Sequence, residues 1–137
     1  MTEQKGADRQ GGLVFLVFHL TDLRAATMQQ IEHNYERLDA QRDPVKAAAL
    51  FRESSHKTGY KLVARVTASD VDGVSFLTSS VDRPWWHNDG VEAKFDGRGC
   101  RSIDMGDIAI DSAGRGYICA RIGWDEIGSF PEKAHLA

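Results

Sequence analysis

The stretch CRSIDMGDIAIDSAGRGYICARIGWDEI, residues 100–127, decides the fold of the C-terminal half of this chain. Two short apolar segments, residues 108–111 and 117–122, flank the sequence SAGRG, and this arrangement predicts a β-hairpin. A Gly-Asp turn precedes the hairpin and a Gly-Trp pair follows it. The stretch contains no familiar catalytic motif, so it indicates a structural class and not a reaction.

Three further strands are predicted upstream of the hairpin. LVFLVFHL, residues 13–20, is continuously apolar and too short for a helix, which is typical of a central strand buried on both faces. YKLVARVTA, residues 60–68, nearly alternates, which predicts that its even-numbered residues share one face of the sheet. Those residues are Tyr60, Leu62, Ala64 and Val66. VEAKF, residues 91–95, predicts a short strand.

Two helices are predicted between the first two strands. Apolar residues between positions 28 and 38 recur at spacings of three and four, which places them on one helical face that fits either the core or a dimer seam. Asp43-Pro44 starts the second helix, because Asp caps a helix and Pro suits its first turn. This helix is expected to end before Gly59. The sequence therefore predicts an α+β fold, an antiparallel sheet with two N-terminal helices packed on one face.

The length and composition predict a single domain. The chain has 137 residues, of which 42% are hydrophobic and 27% charged, as in ordinary soluble globular proteins. We expect a flexible arm at residues 1–12, the domain at residues 13–130 and a tail at residues 131–137. The chain after Ile127 is expected to be loosely held.

Charge and cysteine content disfavour several classes of protein. A formal net charge of −3 does not favour strong non-specific binding to nucleic acid. The longest apolar run is far shorter than the ~20 residues of a membrane span, so no membrane association is expected. Two cysteines are too few for a disulfide scaffold or a zinc site, and no signal-peptide pattern opens the chain. These features predict a cytoplasmic protein with reduced thiols and no cofactor.

The densest aromatic and polar cluster surrounds the two adjacent tryptophans. Tryptophan is enriched at interface hot spots, so this cluster is the predicted partner-binding surface, and substitution of Trp85 or Trp86 is expected to abolish binding while leaving the fold intact. One of the two rings also fits a core position. The predicted contact residues are Arg83, Trp85, Trp86, His87, Asn88 and Asp89.

An acidic surface is predicted in the C-terminal half. Residues 68–137 hold seven Lys/Arg against twelve Asp/Glu, a net charge of −5, which suits a basic partner or simply a solvated surface. The candidate acidic residues are Asp104, Asp107, Asp111, Asp125 and Glu126.

Two catalytic alternatives are open. Cys100 lies in a Gly-rich loop beside Arg98 and Arg101, and His87 is a possible base for its thiol. The three aspartates of D-x-x-D-x-x-x-D, residues 104–111, could bind a hard cation, although turn and hairpin-edge positions explain them better.

A nucleic-acid-binding regulator is a further alternative. The N-terminal half is the more basic one, and its cations could contact phosphates, in which case affinity would fall steeply with salt. The candidate residues are Arg24, Arg37, Arg42, Lys46, Arg52 and Lys57.

Residues 60–127 resemble small accessory proteins of plasmids, conjugative elements and phages, including the YodL-like proteins. The residues that carry the resemblance are Arg101, Ser102, Gly106, Asp107, Ile108, Tyr117, Gly123 and Trp124, with YKLVARV and Trp86–Asn88 similar in place and character. The resemblance supplies no active site. It implies a non-enzymatic protein that binds a host protein or ribonucleoprotein complex, such as a CRISPR effector, and inhibits that defence complex by occupying its surface.

Overall fold

The computed structural model describes residues 12–20, 41–53 and 59–136. Residues 1–11 of the predicted arm and the predicted first helix lie outside these residues. The strands are β1 (Leu13–Leu20), β2 (Tyr60–Ala68), β3 (Val91–Ala93), β4 (Ile108–Asp111), β5 (Arg115–Cys119) and β6 (Trp124–Ser129). The helices are α1 (Pro44–Glu53) and α2 (Val71–Leu77), with 3₁₀ turns at Trp85–His87 and Pro131–Leu136. No helix in the described ranges is long and apolar enough to cross a membrane.

The six strands form one antiparallel sheet in the order β3-β2-β1-β4-β5-β6. β1 pairs with β2 along its whole length and with β4 over residues 15–18. Six of its eight residues are buried, as expected of an inner strand covered on both faces. The predicted α+β class and the central position of residues 13–20 are therefore confirmed.

The two described helices cover opposite faces of the sheet. Leu16 and Phe18 of β1 pack in the core that contains Phe51 of α1. Phe15 and Val17 point the other way, into the core that contains Val74 of α2. The two described helices are not both N-terminal, because α2 follows β2, and only α1 is one of the two predicted helices. The physical reason is that β1 is apolar on both faces, and each face needs a cover.

A bulge in β2 overturns the predicted alternation of that strand. Val17 pairs with Ala64 and Phe18 pairs with Leu62, so Val63 has no partner on β1. One extra residue reverses the facing of everything after it. Tyr60 and Leu62 consequently pack on the α1 face, whereas Ala64 and Val66 pack on the α2 face.

The chain after Ile127 is part of the core. Phe130 is fully buried, and its ring packs edge-on against that of Phe51 with 4.9 Å between centroids. A Cβ at Gly116 would come within 2.7 Å of the Phe130 ring, so this close approach requires glycine. The expectation of a loosely held chain beyond Ile127 is therefore wrong for Phe130, and the last described residues form a 3₁₀ turn.

Candidate functional site

The longest described link between paired strands is the β2–β3 connection, residues 69–90. β2 and β3 are antiparallel neighbours, so this segment begins and ends at the same end of that strand pair. Val74 and Trp85 anchor it, since both side chains are fully buried against the sheet. The remainder of the connection stands above the sheet and carries most of its side chains to the surface.

Hydrogen bonds hold α2 at both ends and in the middle. The Asp70 carboxylate accepts the Gly73 N–H at 2.9 Å, a typical N-cap. The buried Thr78 hydroxyl donates to the Val74 carbonyl at 2.7 Å. The indole N–H of Trp124 on β6 donates to the Ser75 hydroxyl at 2.7 Å. The helix has only seven residues, so these contacts determine its position more than its length does.

The loop after α2 is tied back to the helix. The Asn88 amide donates to the Leu77 carbonyl at 3.0 Å, and Arg83 donates to the Asn88 side-chain oxygen at 3.2 Å. The Trp85 backbone N–H donates to the Ser80 hydroxyl at 3.1 Å. The connection is thus a stiff frame built on side-chain hydrogen bonds.

This frame presents large apolar side chains to solvent. Phe76 is 79% exposed and Val81 is 85% exposed. Around them the connection carries four exposed carboxylates and one exposed guanidinium, those of Asp70, Asp72, Asp82, Asp89 and Arg83. We call these exposed side chains of residues 69–90 the connection surface.

The predicted tryptophan cluster divides between core and surface. Trp85 is fully buried, its N–H donates to the Cys100 and Arg101 carbonyls, and its ring packs on Trp86 and Phe95. It cannot contact a partner, so the expectation that its loss leaves the fold intact needs correction. Trp86 and Asn88 are half-buried. Arg83, His87 and Asp89 are exposed and belong to the connection surface.

Phe76 was not among the predicted contact residues, although the sequence carries a signal for it. Val71, Val74 and Leu77 recur at spacings of three and form the inward stripe of α2. Phe76 lies off that stripe, so a helix over these residues directs its ring outward.

The predicted acidic surface loses one member and keeps three. Asp107 is fully buried, which corrects its assignment to the surface. Asp111 is half-buried and caps the β4–β5 turn by accepting the N–H groups of Ala113 and Arg115. Asp104, Asp125 and Glu126 are exposed.

Asp107 is the centre of a buried polar cluster. The Arg101 guanidinium donates to both carboxylate oxygens of Asp107, at 2.6 and 2.7 Å. The backbone N–H groups of Leu20 and Asp104 also donate to this carboxylate, at 2.8 Å each. Arg101 also donates to the Leu20 carbonyl at 2.9 Å. The bidentate pair is strong and directional, and the contacts of both its members with the Leu20 backbone fasten the loop before β4 to the end of β1.

His19 adjoins this cluster, and it is the imidazole beside Cys100. The Cys100 Sγ lies 3.4 Å from His19 Nδ1, which corrects the predicted pairing of Cys100 with His87, an exposed residue whose ring lies on Trp86. Burial lowers the pKa of His19 to about 4, and burial raises the pKa of the Cys100 thiol. A proton transferred from this thiol to this imidazole would move uphill, so a resting thiolate–imidazolium pair is not favoured.

The other predicted sites are dispersed. Within residues 12–20, 41–53 and 59–136, no three His, Cys, Asp or Glu side chains group as metal ligands, so the aspartates at 104, 107 and 111 do not converge. Of the basic residues, Arg42 and Lys46 are exposed and the Arg52 guanidinium stacks 4.6 Å above the Phe130 ring. Arg24, Arg37 and Lys57 lie outside the described residues.

Comparison with protein-family models, curated proteins and solved structures finds no match to this chain. The resemblance to mobile-element accessory proteins therefore stays an expectation from the sequence.

Proposed function

We propose that this chain is a non-enzymatic binding protein that occupies the surface of a partner protein through its connection surface. The observation that carries the proposal is Phe76, a phenyl ring 79% exposed on a helix that hydrogen bonds hold in place. Aromatic rings are typical anchors of protein interfaces, and they bury a large apolar area when a partner covers them.

The stiffness of the connection supports this role. Binding through a mobile loop loses affinity, because the loop must be ordered when the complex forms. Here Asn88, Trp124 and Thr78 already fix the backbone on both sides of Phe76. A partner would therefore meet a preformed surface.

The charge of the connection surface favours a basic partner. Four carboxylates against one guanidinium give residues 69–90 a net charge of −3. Complementary charge speeds association and excludes acidic competitors. Proteins that hold nucleic acid offer such basic surfaces. Together with the resemblance to mobile-element proteins, this supports a host defence complex that handles nucleic acid as the target, which the protein would inhibit.

The state of Cys100 supports a binding role over a thiol enzyme. His19, the hydrogen-bonding neighbour of the Cys100 thiol, is a poor proton acceptor because burial lowers the pKa of His19 to about 4. A thiol that keeps its proton is a weak nucleophile.

The decisive experiment compares two matched variants of the tagged full chain. Phe76→Ser and Val45→Ser both change an apolar residue that is nearly 80% exposed, but Val45 lies on α1 on the opposite face of the sheet. The partner is captured from host lysate with and without nuclease treatment, identified by mass spectrometry and purified. Binding to each variant is then measured by calorimetry.

We expect Phe76→Ser to weaken binding at least ~10-fold, as for an interface anchor worth more than about 1.4 kcal/mol, and Val45→Ser to leave it unchanged. Equal affinities of Phe76→Ser and the wild type would reject the assigned surface. Recovery that disappears with nuclease would favour the nucleic-acid regulator instead.

A further inference from the structure

A cleft between the start of α1 and the β5–β6 hairpin is not used by the proposed binding role. Its volume is about 420 Å³, within the range of roughly 300–1,000 Å³ that is typical of small-molecule sites. The buried side chain of Ile118 lines it, and Met105 and Ala120 add further apolar surface. Ile118 belongs to the core on the α1 face, so the cleft and the connection surface lie on opposite faces of the sheet.

Contacts between distant residues fix the walls of this cleft. The Gln41 amide donates to the Met105 carbonyl at 3.3 Å. Gly106 has a φ of +95°, and a Cβ at this position would come within 2.9 Å of the Gln41 side chain, so only glycine permits this approach. The Gly106 carbonyl also accepts the buried Tyr60 hydroxyl at 2.6 Å. The cleft is therefore preformed, which lowers the ordering cost of binding a ligand.

Two arginines line the cleft, one from each wall. Arg42 lies just before α1 and Arg121 lies in the β5–β6 turn, and both are exposed. Neither guanidinium has an ion-pair or hydrogen-bond partner among the described residues. A guanidinium fork suits an oxyanion, and a phosphate has three terminal oxygens that two forks can share, whereas one fork already occupies both oxygens of a carboxylate. The pair therefore favours a phosphate.

The Asp125 carboxylate adds a group of opposite charge. It is exposed on β6, lines the same cleft and has no ion-pair partner in the described part of the chain. A carboxylate repels phosphate, but it accepts N–H groups such as the exocyclic amine of cytosine. Burial raises the pKa of the Cys119 thiol to about 11, so this thiol in the cleft is neutral at neutral pH and does not repel an anion.

A nucleotide combines a phosphate, an apolar ring surface and an N–H donor in one small molecule. We propose that the cleft binds a nucleoside monophosphate whose base carries an exocyclic amine. Arg42 and Arg121 bind the phosphate, and Asp125 accepts the exocyclic N–H. The side chains of Met105 and Ile118 contact the base. Binding makes and breaks no covalent bond.

The test is a calorimetric titration of the reduced full chain with cytidine monophosphate at low salt. Three further probes each lack one feature: cytidine lacks the phosphate, uridine monophosphate lacks the exocyclic amine, and inorganic phosphate lacks the base. The matched variants are Arg121→Gln and Arg98→Gln, since both are exposed loop arginines and only Arg121 lines the cleft. Backbone amide NMR shifts of the wild type locate the bound nucleotide without any substitution.

We expect cytidine monophosphate to bind, and each of the other probes to bind at least ~10-fold more weakly, because each lacks contacts that the full ligand makes. Arg121→Gln should weaken binding by about the same factor, whereas Arg98→Gln should leave it unchanged. The amide shifts should centre on Met105 and Ile118. The absence of binding, equal affinities of the two variants, a probe that binds as tightly as cytidine monophosphate, or shifts elsewhere would each overturn the proposal. None of these outcomes bears on the connection surface.

Discussion

The connection surface and the Asp107 cluster use their residues in opposite ways. The connection exposes the apolar ring of Phe76, while its polar side chains form hydrogen bonds that hold the backbone of α2 and the following loop. The cluster buries a carboxylate and satisfies it with four N–H donors from three residues, one on β1 and two in the loop before β4. The residue types that suggest chemistry therefore serve mainly to join segments, whereas an ordinary-looking loop has the features of a contact surface.

The largest expected difference in stability is between substitution of the buried Trp85 and substitution of its exposed neighbour His87. Trp85→Ala should destabilise the protein by about 3–5 kcal/mol, because it removes a fully buried ring from the α2 face. Urea unfolding followed by circular dichroism measures this. The control is His87→Ala, an exposed neighbour expected to stay within about 0.5 kcal/mol of the wild type. A Trp85→Ala protein of unchanged stability would contradict the core assignment.

Substitution of Asp107, at the centre of the buried polar cluster, should give the second-largest loss of stability. Asp107→Ala leaves the buried N–H groups of Leu20 and Asp104 without an acceptor, and each unpaired group of this kind destabilises by about 1–3 kcal/mol. Arg101 is partly exposed, so water can solvate much of its freed charge. We expect a total loss of about 3 kcal/mol by the same unfolding measurement. Asp125→Ala, which removes an exposed carboxylate, serves as the control, and equal losses in the two variants would refute the cluster's role.

A pH titration tests the burial of His19. Its folded pKa of about 4 lies below the unfolded value of 6.5, so the unfolded chain binds the extra proton between these values. Stability should therefore be complete above about pH 6.5 and fall as the pH drops toward 4, by about 3 kcal/mol in total.

His19→Gln should flatten this slope between pH 6.5 and 4, because glutamine does not titrate. The comparison is the slope of unfolding free energy against pH in the two proteins, with His87→Gln as the exposed-histidine control. An unchanged slope in His19→Gln would show that His19 does not titrate as a buried group.

The smallest effect on stability belongs to the connection surface. Phe76→Ser should change the unfolding free energy by no more than about 0.5 kcal/mol, because the ring is mostly in water already. The same variant should give the largest loss of partner binding. The connection surface would then be important for binding and not for stability, whereas the Asp107 cluster would be important for stability. A large loss of stability in Phe76→Ser would mean that its ring packs against the protein, and the binding result would lose its meaning.

Most strands were predictable from local patterns, and the failures have a common cause. The continuous apolar run of β1 and the turn-flanked hairpin of β4 and β5 are local signals, and both are present. The bulge at Val63 and the burial of Phe130 depend on partners far along the chain. Register and burial are set by pairing, which local alternation does not encode.

The candidate site divides in the same way. Residue type alone was enough to predict that some members of the contact set are exposed, namely Arg83, His87 and Asp89. It was not enough to predict that Trp85 and Asp107 are buried. The sequence allowed one tryptophan a core position without selecting which one, and Asp107 after Gly106 looks like a turn residue. Each is buried because the loop that carries it folds onto the end or the face of the sheet.

By itself the sequence determined the α+β class, the central strand, the helix that begins at Pro44 and the hairpin of β4 and β5, because these depend on periodicity and on residues close along the chain. Only the tertiary structure decided that α1 and α2 take opposite faces and that His19 meets Cys100, 81 residues away. The outward position of Phe76 follows from the local helix pattern, but only tertiary contacts such as those of Asn88 and Trp124 hold its helix in place. Contacts between distant residues are chosen by the packing of the whole sheet, and no local pattern records that choice.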